Sequence, residues 1–241
     1  MRRMLTSTRQ MATTGAFAVL AIACTNVARA QIADTSFVLV QPVTFQMGDP
    51  EYRPIHPVEI SHGFLLQKTE VMQAQWTAVM RSNPSVHKDC GPTCPVENVS
   101  WEDVQSFIAE LNLRSPGKTY RLPTEAEWEL AARSMPGGLG PIQAWTSETS
   151  GGKPHPVATL HPYAKGLYDM SGNVWEWVSD WYAPYGTFSD KDPKGPATGD
   201  KKVLRGGAFD YVIAFALPGC RRSEDPTHRE GDIGFRLVRE P

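Results

Sequence analysis

The sequence predicts an α+β domain of short helices, short strands and a large share of irregular chain. Three observations carry this. Twenty glycines and twenty prolines in 241 residues interrupt the chain too often for long elements. Two stretches combine a helical apolar period with a capping box at their start. Several others hold β-branched and aromatic residues between turn signals, as strands do. The length suits one domain with a sizeable core, placed at residues 31–241, and no internal repeat divides it.

In chain order, residues 36–47 (SFVLVQPVTFQM) read as a strand, or as two strands kinked apart at Pro42. A turn-rich connection follows, then a strand at 58–66. Residues 71–80 form a short helix with Ala74, Trp76 and Val79 towards the core. Ser100 caps the clearest helix, with Asp103 in the capping-box position and an apolar stripe of Val104, Phe107, Ile108 and Leu111. Ser115-Pro116-Gly117 ends it. Thr124 and Glu127 open a second helix, in which Trp128, Ala131 and Ala132 face inward. Residues 137–165 are too long for an ordinary connection, so they are either ordered by local contacts or a binding loop. Residues 203–209 and 233–238 read as strands.

The densest information lies at 166–182, GLYDMSGNVWEWVSDWY, where Trp175, Trp177 and Trp181 stand beside Asp169, Glu176 and Asp180. A buried indole removes roughly 150–250 Å² from water and needs a partner for its N–H. The stretch is therefore expected to be an irregular core element whose carboxylates accept such donors.

Formal net charge is −2. The first thirty residues hold Arg2, Arg3, Arg9 and Arg29 and no acid, so the remainder carries −6 (20 basic against 26 acidic side chains). That balance speaks against nucleic acid or anionic lipid as a partner. Residues 1–30 read as a secretory signal peptide: a basic start, a short apolar run at 16–24, and an A-x-A site ending at Ala30. The apolar run is too short to span a bilayer. The expectation is an exported chain, periplasmic in a Gram-negative source, with no membrane span. Export leaves Cys90, Cys94 and Cys220, and in an oxidising compartment Cys90 and Cys94 are natural disulfide partners. The competing reading is half of a metal site with His87 as a third ligand.

Four blocks, RLPTEAEWE at 121–129, GLYDMSGNVWEW at 166–177, VLRGGAF at 203–209 and GFRLV at 234–238, resemble in order and kind the formylglycine-generating enzymes, also called sulfatase-modifying factors. The resemblance runs over 37–239 and implies that family's C-type-lectin-like fold. It also implies one structural calcium site, with side-chain oxygens from Asp169 and Glu176 and main-chain carbonyls from Gly172 and Val174. Two carboxylates about a glycine bend suit a hard, oxygen-loving cation. The alternative is that both acids accept backbone N–H groups in a tight loop.

Formylglycine-generating enzymes carry two cysteines shortly after the RGG block, and these bind copper(I). Here Tyr211 occupies the first of those positions and Ala216 the second. Sliding the alignment pairs Cys220 with the second, but nothing supplies the first. A soft ion of this kind needs thiolates, so no copper and no formylglycine formation are expected. Tyr211, Ala216, Cys220, Glu224 and His228 are the residues expected to line the old groove. No H-E-x-x-H, G-x-S-x-G or phosphate-cradling motif occurs. The hexad VIAFAL at 212–217 is either a buried strand or a hydrophobic surface able to receive a partner. The mixed charges at 221–232 read as a solvated face, and Arg236 as the partner of an acid in the tryptophan-rich stretch.

The function expected from these readings is binding rather than catalysis. The resemblance includes periplasmic regulators of type VI secretion, which stimulate a membrane Ser/Thr kinase through its periplasmic part. An envelope protein, such as that kinase, is the expected partner. The alternative is a periplasmic oxidoreductase-type enzyme of different chemistry on the same fold, as in siderophore maturation. A third class is a binder of envelope glycans.

Overall fold

The computed structural model describes residues 32–49, 54–133, 143–163, 166–186 and 190–241. The expected leader at 1–30, its Ala30 cleavage site and parts of the loops around 137–165 and 187–202 fall outside them. The architecture is α+β.

Pro42 does part the first run into two strands, β1 (Phe37–Val40) and β2 (Val43–Met47). The single strand expected at 58–66 is instead two, β3 (His56–Ile60) and β4 (Phe64–Gln67). These pair crosswise: β3 with β2, and β4 with β1, both antiparallel. Helix α1 (Gln73–Met80) buries Trp76 and Val79 as expected, but Ala74 faces solvent and Gln73 takes the inward place. Gln73 is held there by polar bonds, donating to the His87 carbonyl at 3.1 Å and accepting from Asn83 at 2.8 Å.

Helix α2 (Trp101–Arg114) begins with both bonds of the capping box, Asp103 N–H to Ser100 Oγ at 3.1 Å and Ser100 N–H to Asp103 Oδ2 at 2.9 Å. Its stripe of Val104, Phe107, Ile108 and Leu111 is buried. After β5 (Tyr120–Arg121), Thr124 and Glu127 cap α3 (Glu125–Arg133) in the same reciprocal way. This helix is buried on eight consecutive residues, three of them glutamates. Burying a carboxylate costs several kcal/mol unless it is paired, and each one is. Glu125 meets Arg221 at 2.6 Å, Glu127 takes both terminal nitrogens of Arg121, and Glu129 joins Arg205 and Arg133.

The tryptophan-rich stretch is more regular than expected. Its second half is β6 (Trp175–Trp181), the inner strand of a four-stranded sheet ordered β8–β7–β6–β9, with β7 (Lys202–Arg205), β8 (Arg221–Glu224) and β9 (Ile233–Phe235). Only β6 and β9 run parallel. The glycine bend lies just before the strand. At Gly172 φ is +78°, and a Cβ would stand 2.2 Å from the Trp145 carbonyl oxygen, so only glycine fits.

The closing segment is two strands in different sheets. β9 ends at Phe235, and β10 (Val238–Arg239) slots between β4 and β5. Arg236, on the crossing, is fully buried. Its Nε and Nη2 each lie 2.7 Å from Glu176, and it also donates to the carbonyl of Tyr168 at 3.0 Å. The ion pair expected from sequence is there. Two apolar clusters flank this seam, one around Trp76, Phe107, Trp175, Trp177 and Phe235, the other around Trp128, Leu66 and Val178. Among the described residues, no helix is long and apolar enough to cross a membrane.

A candidate binding groove around Arg222

β7 ends in Gly206 and Gly207, both with positive φ. A Cβ on Gly207 would stand 2.9 Å from the backbone of Ala216, so this close approach seats the short 3-10 turn Ile213–Ala216 directly on the strand's exit. The hexad at 212–217 is therefore not the buried strand considered from sequence. Ala216 is buried, whereas Val212, Ile213 and Phe215 are 46%, 39% and 45% exposed. Tyr211 precedes the turn and packs edge-on between two rings, Trp175 at 5.4 Å and Phe215 at 5.5 Å.

The two arginines that open β8 go to opposite faces, as successive strand residues do. Arg221 enters the core, stacked over Tyr182 and Tyr185 and paired with Glu125. Arg222 enters the groove and organises it. Its Nη1 donates to the Tyr211 hydroxyl at 3.1 Å and faces Asp232 at 3.4 Å; its Nη2 meets Glu230 at 2.7 Å; its Nε donates to Glu224 at 3.2 Å. His228 Nε2 lies 3.3 Å from Glu230. His87, weighed as a metal ligand, stands edge-on to Phe209 instead. Cys90 and Cys94 are disulfide-bonded, with Cα atoms 5.9 Å apart.

One arginine thus faces Glu224, Glu230 and Asp232, with Asp210 close enough for its charge to act on Asp232. The electrostatics reflect that imbalance. Burial, then the charges of Glu230 and Asp210, push the Asp232 carboxyl up to about 7 against the opposing pull of Arg222. The bond from Arg222 holds Glu230 below its usual range, and burial raises Tyr211 and Asp210. Two buried polar atoms here, Asp232 Oδ1 and Trp175 Nε1, have no hydrogen-bond partner among the described residues. An unmet buried donor or acceptor costs about 1–3 kcal/mol. The two together, one acceptor and one donor, leave unmet polar capacity beside Arg222.

Of the expected groove residues, the structure gathers Tyr211, Glu224 and His228 around Arg222 and Glu230. Ala216 sits beneath the turn, where its carbonyl accepts the Ser171 hydroxyl at 2.7 Å. Cys220 is half-buried against the core side, its carbonyl taken by Arg205 at 2.7 Å. Sequence reasoning missed Arg222, Asp232 and Trp175 as site residues. The signal for Arg222 was available in the strand alternation of the Arg221-Arg222 pair; nothing local marked Asp232.

The expected calcium ligands are all buried at the bend before β6. Glu176 already has both oxygens engaged, by Arg236 and by the Trp128 indole N–H at 2.8 Å. Asp169 Oδ2 accepts the Ala158 N–H at 2.8 Å. A third carboxylate, Glu70, is fully buried nearby; burial and then the charge of Asp169 raise it well above the ordinary range. Its Oε1 accepts from Asn173 at 3.0 Å and its Oε2 has no partner. Among the described residues, no three His, Cys, Asp or Glu side chains are gathered to hold a metal on side chains alone. A hard cation here would draw on main-chain carbonyls, as calcium does, and would share Glu176 with Arg236.

A family model described as the sulfatase-modifying factor enzyme 1-like domain matches residues 24–241. The formylglycine-generating enzyme of Streptomyces coelicolor is 38% identical over 179 residues, 62% of this chain and 54% of that protein. A Chlamydia pneumoniae protein named serine/threonine-protein kinase pkn1 is 32% identical over 162 residues, 60% of this chain and 24% of the kinase. The solved structure of Treponema denticola variable protein 1 superposes with a TM-score of 0.76 at 30% identity, covering 85% of this chain and 95% of that one. This chain spans about half the length of the curated relatives it matches.

Proposed function

Because the chain belongs to the sulfatase-modifying factor enzyme 1-like family, we propose that it uses the family's fold to bind an envelope partner and does not form formylglycine. The partner we favour is the periplasmic part of a membrane Ser/Thr kinase that controls type VI secretion, with this chain as an exported regulator. One observation carries the reading. Where the family resemblance requires the first thiol, Tyr211 is wedged between Trp175 and Phe215 and tied to Arg222. Cys90 and Cys94 are joined to each other, which withholds both of their sulfurs from a copper(I) site.

The groove's chemistry suggests what it receives. Val212, Ile213 and Phe215 offer an apolar rim, and the carboxylates around Arg222 leave the floor net acidic. A segment pairing an apolar anchor with a basic residue matches both. Support for a kinase comes from the Chlamydia relative, in which the similar region makes up a quarter of a chain named as one. Calcium forms part of the same proposal, held by Asp169 and the carbonyls of Gly172 and Val174 with Glu176, where the unpartnered Glu70 oxygen supports added positive charge.

The test is binding of the purified exported chain to the kinase's periplasmic part, beside the variant Phe215→Asp. The proposal expects saturable binding that the variant weakens by at least about tenfold. If a cross-linking screen of the envelope recovers neither that kinase nor any other envelope protein, the proposal fails.

A second reading, an enzyme of different chemistry on the same groove, is favoured by one feature. Asp232 has an unpartnered oxygen beside a phenol and titrates near neutral pH, as a general base does. Under that reading Asp232→Asn abolishes a metabolite conversion that Phe215→Asp leaves intact; under the binding reading no metabolite changes in either strain.

A further inference from the structure

A cavity of about 410 Å³ opens on a part of the surface that shares no residue with the Tyr211 groove. Its walls come from the N-terminal ends of α2 and α3 and from the loop at 190–194. The volume lies within the range of small-molecule sites, and the walls are fixed. The loop is hydrogen-bonded onto β3, with Glu59 N–H to Asp190 O and Asp192 N–H to Glu59 O, both at 2.8 Å. Asp192 is further pinned by Ser61, whose N–H and hydroxyl donate to its two oxygens at 2.8 and 2.5 Å.

Trp101 supplies an aromatic wall. Its indole N–H donates to the Val178 carbonyl at 3.0 Å, and Lys202 lies against the ring at 4.0 Å while also contacting Trp181. Opposite charges line the rest. Arg121 grips Glu127 with two bonds and Glu240 with a third, and both carboxylates line the cavity. The side chain of Gln105, half-buried in the wall, makes no hydrogen bond to any described residue, and neither does that of Lys194.

We propose that this cavity is a saccharide site that takes a neutral pyranose unit, with Trp101 under the sugar ring and Gln105, Glu127 and Asp192 meeting its hydroxyls. The chemistry selects that class. Three carboxylates against two cations disfavour an anion, and the ring of polar groups disfavours a purely apolar ligand. A polyol needs donors and acceptors interleaved around one aromatic face, and those are the groups present. Fixed walls spare the ordering cost that weakens most sugar sites.

The test titrates the full exported chain with a panel of neutral mono- and disaccharides, reading tryptophan fluorescence and the Trp101 indole N–H resonance. The expected result is saturable binding of at least one sugar, with that resonance shifted. Gln105→Ala breaks no side-chain hydrogen bond among the described residues, so it is the deciding variant; it weakens binding about three- to tenfold while thermal unfolding shifts little. Trp101→Ala, checked for folding, abolishes the binding. Absence of saturable binding across the panel overturns the assignment. So does binding that Gln105→Ala leaves untouched, and so does preference for uronic acids or for simple aliphatic compounds.

Discussion

Two polar regions lie on either side of β7 and β8, and they are built on different terms. Beneath α3, every carboxylate oxygen of Glu125, Glu127 and Glu129 has a partner, and so do both oxygens of Glu176. Among the described residues, the Nε atoms of Arg205 and Arg221 are left over there, and Glu70 Oε2 near Glu176. In the groove, by contrast, one arginine serves three carboxylates and a phenol, and an acceptor and an indole donor go unmet. The first arrangement fixes a scaffold, since a network whose helix carboxylates are all met rigidifies the core. The second leaves capacity for something from outside. The difference separates the fold from the groove: the blocks that carry the family resemblance supply Glu125, Glu127, Glu129, Glu176, Arg205 and Arg236 to the first network.

The contrast can be broken most severely at the seam. Arg236→Met leaves Glu176 buried without its cation, and urea unfolding is expected to show a loss of roughly 3–5 kcal/mol. Adding Glu176→Gln to that variant recovers part of it, because the uncompensated charge is then gone. A loss no larger than that of a surface substitution would contradict the scaffold role.

Asp232 gives the next effect, and it has a sign. Its carboxyl is raised from 3.8 to about 7 on folding, so its contribution to stability is complete below pH 4 and is lost as pH rises through about 7. Asp232→Asn keeps the neutral form at every pH. The variant is therefore expected to gain on the wild type by roughly 2–4 kcal/mol between pH 4 and pH 8, read as diverging chemical-denaturation midpoints. Parallel pH profiles would show that Arg222 neutralises the groove after all.

Replacing Cys90 and Cys94 together by serine opens a short loop and is expected to cost about 2 kcal/mol, with reductant producing the same shift in the wild type and none in the variant. Phe215→Asp comes last in stability, about 1 kcal/mol, because the ring is nearly half exposed and packs on Tyr211 from one side. Its larger expected effect is on binding. The proposed calcium site sharpens the comparison from the other side: added calcium is expected to raise the melting temperature, chelator to reverse that rise, and groove binding to stay intact.

Local chemistry made much of the fold legible. Ser100 and Thr124 announced both capping boxes, Pro42 the break between β1 and β2, and Arg236 its acid. What escaped were features decided at long range. The closing strand divides because β10 completes one sheet while β9 completes another, which no local pattern records. Ala74 yields its inward place to Gln73 because Asn83 and the His87 carbonyl satisfy the amide. The tryptophan-rich stretch read as irregular because its glycine bend and its strand are adjacent. At the groove, Tyr211 was readable by its position shortly after the RGG block, while Asp232 gains its character only from burial beside Glu230 and Asp210.

The most direct test of the central claim supplies the purified chain with copper(I), oxygen and a cysteine-containing peptide of the kind formylglycine-generating enzymes accept, and weighs the peptide by mass spectrometry. The account predicts that the peptide keeps its thiol and that the chain takes up no stoichiometric copper. Stoichiometric copper(I) loading together with conversion of the cysteine to an aldehyde would contradict it.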